Sequence, residues 1–331
     1  MAQASAVSSP PVRRRSPSRT APPKTAPPKT ALPTAPLKVT HANRVIDPDS
    51  GLTKGELVAY YALVAPLMLP HLRGRPVSLL RAPGGVGGPY FFQKHAEPQE
   101  LPGVDQLDRA LDPEHEPMLG FASRRALESA AQHNAVEFHT WNANVRAIDR
   151  PDRIVFDLDP GRGVSWDQMR EAARLLRDAL SALKLASHVK TSGGQGLHLV
   201  VPIAPRFGWD LVRPLARAIV EHMAEAMPER FVARSGAEHR VGKVFIDYLR
   251  NGFGATTVCA WSARARPGLG ISVPIAWDEL DELDSAAHWT VRNAHDRLAI
   301  GNTPWATYAR SRQGLAFAAK ALGLEIQEMG G

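Results

Sequence analysis

Residues 154–160 read Ile-Val-Phe-Asp-Leu-Asp-Pro, and no other stretch restricts the fold as much. A short apolar run of this kind is a buried strand, in which residues i and i+2 share a face about 6.6 Å apart. Asp157 and Asp159 therefore point the same way, with Phe156 and Leu158 on the opposite face. At that spacing two carboxylates repel by roughly 2–3 kcal/mol at an effective dielectric of about 20. A hard divalent cation, Mg²⁺ or Mn²⁺, converts the repulsion into chelation. A bare Asp-x-Asp fits a solvated strand end beside Pro160-Gly161 equally well, so the pair alone leaves both readings open.

Asp247 narrows the choice. It stands in Val-Phe-Ile-Asp-Tyr-Leu, an otherwise apolar strand in which an unpaired carboxylate is costly. A third aspartate from a separate strand is what a two-ion centre needs. The run Thr191–His198 places Gly193, Gly194 and Gly196 beside Ser192 and His198. Such a loop can bring backbone N–H groups to an anion, with the serine and histidine as further donors. It lacks the Gly-Lys-Ser/Thr of a P-loop, and a glycine-rich turn is often only a turn. Arg250, three residues after Asp247, and Arg264 suit bidentate phosphate binding, or ordinary pairing with nearby acids. Upstream, His41, Arg44, Lys54 and Lys94 with Phe91 and Phe92 fit a surface that grips DNA phosphates and stacks on a terminal base. Adjacent in a strand, one of the two phenylalanines is expected to point into the core.

Charge adds little. The chain has a net charge of +7, and seven of its 40 basic residues lie in residues 1–38, which hold no acid. The remainder carries 33 basic against 33 acidic residues, so net charge does not by itself imply nucleic acid. That first segment is rich in Pro, Ala, Thr and Lys and predicts a disordered tail of 1–38 ahead of one globular domain of 39–331. No uninterrupted apolar window reaches about 18 residues, which predicts no membrane span. The single cysteine, Cys259, permits no intramolecular disulfide, and a reducing cytoplasm is the expected setting.

The periodicity predicts mixed α and β structure. A capping box at Thr53–Glu56 opens a helix that Pro66 should kink or end. Residues 77–81 and 90–94 should form a hairpin, and 124–132 a helix. Ser165 with Gln168 caps a helix carrying Met169, Ala173, Leu176 and Leu180 on one face. Strands are expected at 188–192, 197–203, 243–249 and 256–264, with helices at 211–226 and 306–322.

Five runs carry a resemblance: THANRVIDPDSGLTKGEL, GRPVSLLRAPGGVGGPYFFQKH, DRIVFDLDPG, KTSGGQGLHLVVPI, and DYLRNGFGATTV with SARAR and VPIAWDEL. Together, over roughly 38–300 and in unbroken order, they resemble the polymerase domain of bacterial DNA ligase D, in the archaeo-eukaryotic primase superfamily. The resemblance implies an α+β, primase-type catalytic domain, with a mixed or antiparallel sheet in two halves flanked by helices around a central cleft. It implies a nucleotidyltransferase that adds rNTP or dNTP at DNA ends, by gap filling or terminal addition, in non-homologous end joining. Asp157, Asp159 and Asp247 would be the catalytic ligands of two Mn²⁺ or Mg²⁺ ions. Ser192, Gly193, Gly194, Gly196, His198, His139, Arg250 and Arg264 would surround the triphosphate. His41, Arg44 and Lys54 would hold the 5′-phosphate of a gapped or overhanging duplex, beside Lys94 and the stacking Phe91 and Phe92. His41 stands where some relatives have asparagine, and Ala237 where lysine is common. With no ligase segment before Gly331, the expected partners are a separate ATP-dependent ligase and a Ku-type end-binding protein. A replicative primase, a DNA-end binding module without catalysis, and a glycosyltransferase using Asp-x-Asp are the competing readings.

Overall fold

A computed structural model describes residues 37–97 and 101–325. The tail expected over 1–38 lies, apart from Leu37 and Lys38, outside the described residues. In chain order, β1 (Val45–Asp47) and β2 (Leu52–Thr53) pair ahead of α1 (Lys54–Leu72). Next come β3 (Val77–Arg81), β4 (Phe91–Gln93), β5 (Asp105–Gln106) and β6 (Leu119–Gly120). Then follow α2 (Arg124–Gln132), β7 (Ala135–Trp141), β8 (Arg153–Pro160) and α3 (Trp166–Ala182). The strands β9 (His188–Thr191) and β10 (Leu197–Pro202) precede α4 (Trp209–Ala226). The chain continues through β11 (Phe231–Val232), β12 (Val244–Asp247), β13 (Thr256–Val258) and β14 (Pro274–Ile275). Short α5 (Ala294–Arg297) and α6 (Ala316–Ala321) come last.

The strands make two six-stranded sheets. One runs β13-β7-β3-β6-β5 with β4 on β3; the other runs β11-β12-β8-β10-β9-β14. Pairing is antiparallel throughout except β11 with β12, which is the mixed, two-half α+β arrangement that the resemblance implied. Both expected capping boxes form, at Thr53/Glu56 and at Ser165/Gln168. Each closes within four residues, so no tertiary contact has to decide it.

Buried polar side chains join the two sheets. Arg153 on β8 donates to Asn142 Oδ1 (2.9 Å), Thr140 Oγ1 (2.6 Å) and the Trp141 carbonyl (3.0 Å). Asn251 both accepts from Val155 N–H and donates to the Val155 carbonyl, each at 2.8 Å, and Asn142 donates to the Arg250 carbonyl. The end of β7, the middle of β8 and the turn after β12 are thereby fixed to one another.

Three sequence expectations fail. The first helix does not end at Pro66 but continues past Pro66 and Pro70 to Leu72. Burying Val64, Ala65, Met68 and Leu72, at about 1.5–3 kcal/mol for each large side chain, outweighs the ~3 kcal/mol penalty of an internal proline. With 19 residues and a mean hydropathy of 1.2, α1 also reaches membrane-span length and composition, yet half of that window is buried in the core. The strand expected over 256–264 stops at Val258. Cys259 N–H still bonds to the Phe138 carbonyl, but Trp261, at φ +68°, bonds instead to the Ser272 carbonyl, so the chain crosses between the sheets there. The helix expected over 306–322 shrinks to Ala316–Ala321, because Gln313 pairs in extended form with Pro202 and Ala204 at the end of β10.

Candidate active site

Antiparallel register does most of the assembly. Asp247 on β12 lies opposite Asp157 on β8, and Asp157 lies opposite His198 on β10. Three polar side chains thus stand in one row across three strands, flanked on them by buried apolar residues such as Phe156, Leu158, Leu197, Leu199 and Ile246. His198 Nε2 is 3.1 Å from Asp157 Oδ1, while its Nδ1 is buried without a hydrogen-bond partner. Asp247 accepts from the Leu249 N–H (2.7 Å) and lies 3.1 Å from Arg250 Nε. Asp159, two residues along β8, faces Arg240 Nη1 at 3.7 Å.

The carboxylates disturb one another. Burial and the Asp157 and Asp247 charges push Asp159 up to about 6. Burial also raises Asp247. Asp157 moves the other way: burial acts upward on it, but His198, Arg250 and Arg264 together hold it well below the usual carboxylate range. Burial lowers His198 to about 4, so its imidazole is neutral at pH 7. Three oxygen donors that repel, beside a neutral imidazole with an unsatisfied nitrogen, fit a divalent-cation centre in donor chemistry.

Asp157 and His198 line a cleft of about 590 Å³ that also takes in His139, Arg250, Arg264, Phe92 and Lys94. That lies within the about 300–1,000 Å³ usual for a small-molecule pocket, a size suited to a nucleotide. Its far wall comes from β7. His139 Nε2 lies 2.7 Å from Glu137 Oε2, and Arg264 Nε donates to the same oxygen at 3.0 Å. Glu137 Oε1 accepts from the Ala265 N–H at 2.8 Å. Burial acts to raise Glu137, yet the His139 hydrogen bond and the Arg264 charge hold it at about 2. Burial leaves His139 below its ordinary value despite that carboxylate. Glu137 was not singled out from the sequence; its only signal there was an acid inside the strand-like run Ala135–Trp141.

The glycine loop works differently from expectation. Gly194 and Gly196 donate their N–H groups to Ser192 Oγ (3.1 and 3.2 Å), and Gly193 donates to the Ala286 carbonyl. These N–H groups are used within the fold and are not presented to an anion. Glycine is required there for space. A Cβ at Gly196 would stand 1.9 Å from the Leu158 carbonyl, and Gly193 has φ +70°. Arg264 Nη1 ties the loop to the cleft by donating to the Ser192 carbonyl (3.0 Å). Replacing Gly196 with alanine is therefore expected to displace β8 at Leu158, between the two aspartates. Thermal stability and divalent-cation binding should both weaken, by more than an alanine substitution at Gly314, whose added Cβ meets no atom within 4 Å.

The upstream basic group stands outside the cleft. His41 is exposed at φ +52°, Lys54 is the first residue of α1 and buried, and Arg44 donates to the Pro83 carbonyl and to Asn134 Oδ1. Val86 N–H bonds to the Ile46 carbonyl, which docks the β3–β4 turn on the segment that carries Arg44. Burial, then the Arg44 charge, lowers the Lys54 ammonium. Neither phenylalanine is core: Phe91 is 41% and Phe92 46% exposed. Among the described residues β4 pairs only with β3, and no further strand covers its outer edge. Gln93 takes the inward place, Arg81 lies over Phe91 (5.2 Å), and Phe92 meets the His139 ring edge-on at 5.1 Å.

Known proteins match this arrangement. Residues 53–305 fit the family described as LigD, primase-polymerase domain. The multifunctional non-homologous end joining protein LigD of Pseudomonas aeruginosa is 50% identical over 287 residues, 86% of this chain and 34% of that protein. Its namesake from Mycolicibacterium smegmatis is 33% identical over 248 residues, 74% of this chain and 32% of that one. The chain thus spans about a third of the length of these curated relatives. The polymerase domain from Mycobacterium tuberculosis ligase D in complex with DNA superposes with a TM-score of 0.71 at 30% identity, covering 80% of this chain and 94% of that one. The glycosyltransferase reading of Asp-x-Asp has no place in such a fold.

Proposed function

This chain belongs to the LigD primase-polymerase family, and from that premise we propose that it is a DNA-directed nucleotidyltransferase which extends DNA ends during non-homologous end joining. The observation that carries the proposal is the row Asp247–Asp157–His198 across β12, β8 and β10, with Arg250 paired to Asp247 and with Asp157, His198, Arg250 and Arg264 lining one cleft. Relatives of this chain are named for end joining, and a structural neighbour was solved with DNA.

In this reading the primer 3′-hydroxyl attacks the α-phosphate of an incoming rNTP or dNTP, and pyrophosphate leaves. Asp157, Asp159 and Asp247 would hold two ions of the Mg²⁺ or Mn²⁺ class, which supply Lewis acidity at the phosphate and lower the pKa of the hydroxyl. A carboxylate oxygen of Asp247 would accept the hydroxyl proton. Arg264 and Arg250 bind phosphate oxygens, and Ser192 donates its hydroxyl hydrogen, which the two N–H groups it accepts leave free. His198 orients Asp157 through their 3.1 Å contact. His139, fixed by Glu137, closes the far side of the cleft, and Phe92 presents an exposed face for base stacking. Arg44, His41 and Lys54 at the start of α1 receive a 5′-phosphate, a position that the helix N-terminus favours. A Ku-type protein and a ligase working with this domain in a bacterial cytoplasm complete the proposal.

Primer extension on gapped duplexes tests it. The protein should extend a primer in Mn²⁺ and prefer a gap whose downstream strand carries a 5′-phosphate. Lys54→Ala should lose about tenfold of that preference, the size of one charge-assisted hydrogen bond. Absence of extension by the wild type would remove the polymerase reading; an unchanged preference in Lys54→Ala would remove the phosphate assignment.

A further inference from the structure

We propose that His95, Asp112 and His115 form a second metal site, for a divalent ion of the Zn²⁺ class, that clamps the end of β4 to the segment of residues 105–118. One ligand atom from each of the three residues lies within 4.8 Å of the others. His95 Nε2 is 3.0 Å from Asp112 Oδ2, and His115 Nδ1 is 2.8 Å from Asp112 Oδ1. The two imidazoles are stacked, with centroids 4.9 Å apart and planes at 10°, so that each turns a nitrogen toward the same carboxylate.

The backbone prepares this convergence. His95 bridges to Met118, and Ala96 N–H bonds to the Pro117 carbonyl at 2.7 Å. Asp112 follows the 3-10 turn Arg109–Leu111 and returns its N–H to the Arg109 carbonyl (3.1 Å), while His115 N–H bonds to the Asp112 carbonyl. The side chains are 25%, 23% and 57% exposed for His95, Asp112 and His115, so an ion can enter and keep a water.

Donor chemistry separates this site from the catalytic carboxylates. Two imidazoles with one carboxylate favour Zn²⁺, Co²⁺ or Ni²⁺ over Mg²⁺, and three protein ligands leave a fourth position open. The clamp has a consequence for the cleft. β4 carries Phe91 and Phe92, Lys94 follows directly, and His95 is the next residue. An ion held by His95 thus stiffens the strand end that presents these side chains. The metal-binding claim rests on this geometry alone and is independent of the polymerase reading. The rival is a purely hydrogen-bonded His–Asp–His tie, which needs no ion.

Cobalt titration distinguishes the two. The full chain carrying Asp157→Ala and Asp159→Ala, with the catalytic carboxylates reduced, should bind one equivalent of Co²⁺ with visible ligand-field absorption that Zn²⁺ displaces. Adding His115→Ala, a change at an exposed side chain, should weaken Co²⁺ binding at least tenfold while far-ultraviolet circular dichroism stays the same. Asp112→Asn should do likewise, and Zn²⁺ should raise the unfolding temperature of the parent but not of the His115→Ala chain. Absence of saturable Co²⁺ binding, or equal binding with and without His115, would overturn the site.

Discussion

Replacing Asp157 and Asp159 together with alanine is expected to lower nucleotide addition at least ~10³-fold, about 4 kcal/mol of transition-state stabilisation. Single-turnover extension in Mn²⁺ is the measurement, and equal rates for wild type and variant would remove the mechanism. Stability should respond differently at the two positions. Asp157 is stabilised as a carboxylate by His198, Arg250 and Arg264, so Asp157→Asn gives up favourable contacts. Asp159 is disfavoured as a carboxylate, by burial and by two neighbouring aspartates. In the fold it keeps its proton up to about pH 6, against 3.8 for the ordinary group. Its contribution therefore favours the native state below pH 4 and is lost as pH rises through 6. A shift of that size corresponds to about 3 kcal/mol for a fully buried group. The Asp159 side chain is 43% exposed, so solvent screening reduces this to about 1 kcal/mol. In chelator at pH 7.5, Asp159→Asn should raise the unfolding temperature by roughly 2–4 °C, and at pH 4 it should change it little. A variant less stable than wild type at pH 7.5 would show that the repulsion is not what the fold carries there.

The second large effect is expected at Glu137. Its carboxylate is 4% exposed and serves His139, Arg264 and the Ala265 N–H at once. Removing it leaves the Arg264 guanidinium, 18% exposed, without its charge partner, and breaking a buried pair in this way costs about 3–5 kcal/mol. Glu137→Ala should lower the unfolding temperature by roughly 6–12 °C. Glu137→Gln, which keeps acceptor and shape but not charge, should lose less. Because Glu137 is held at about 2, the stability it supplies is present above pH 4.5 and is lost only as pH falls toward 2. The same substitution frees Arg264 from the orientation that faces the cleft, so nucleotide affinity, measured by calorimetry in Ca²⁺, should fall about tenfold or more. Full affinity in Glu137→Ala would mean that Arg264 does not take part in binding.

Local sequence determined the features whose partners lie within a few residues. The capping boxes of Thr53 with Glu56 and Ser165 with Gln168 form as read, because each closes inside one helical turn. The hairpin of β3 and β4 formed too, and so did the shared face of Asp157 and Asp159, since alternation is a property of any strand. Motif resemblance carried the rest of the fold class. Tertiary structure alone decided which distant residues meet. Glu137 and Arg264 are 127 positions apart, and no local energy links them. Asp247 reaches Asp157 only through the β12–β8 register, and His95 reaches Asp112 only once β4 has been laid on β3. Pro66 inside α1 and the crossing at Trp261 follow the same rule, because buried contacts outweighed the local preference. Terms of a few kcal/mol between chain neighbours are fixed in the sequence. Larger sums from packing and strand register exist only after the chain has closed on itself.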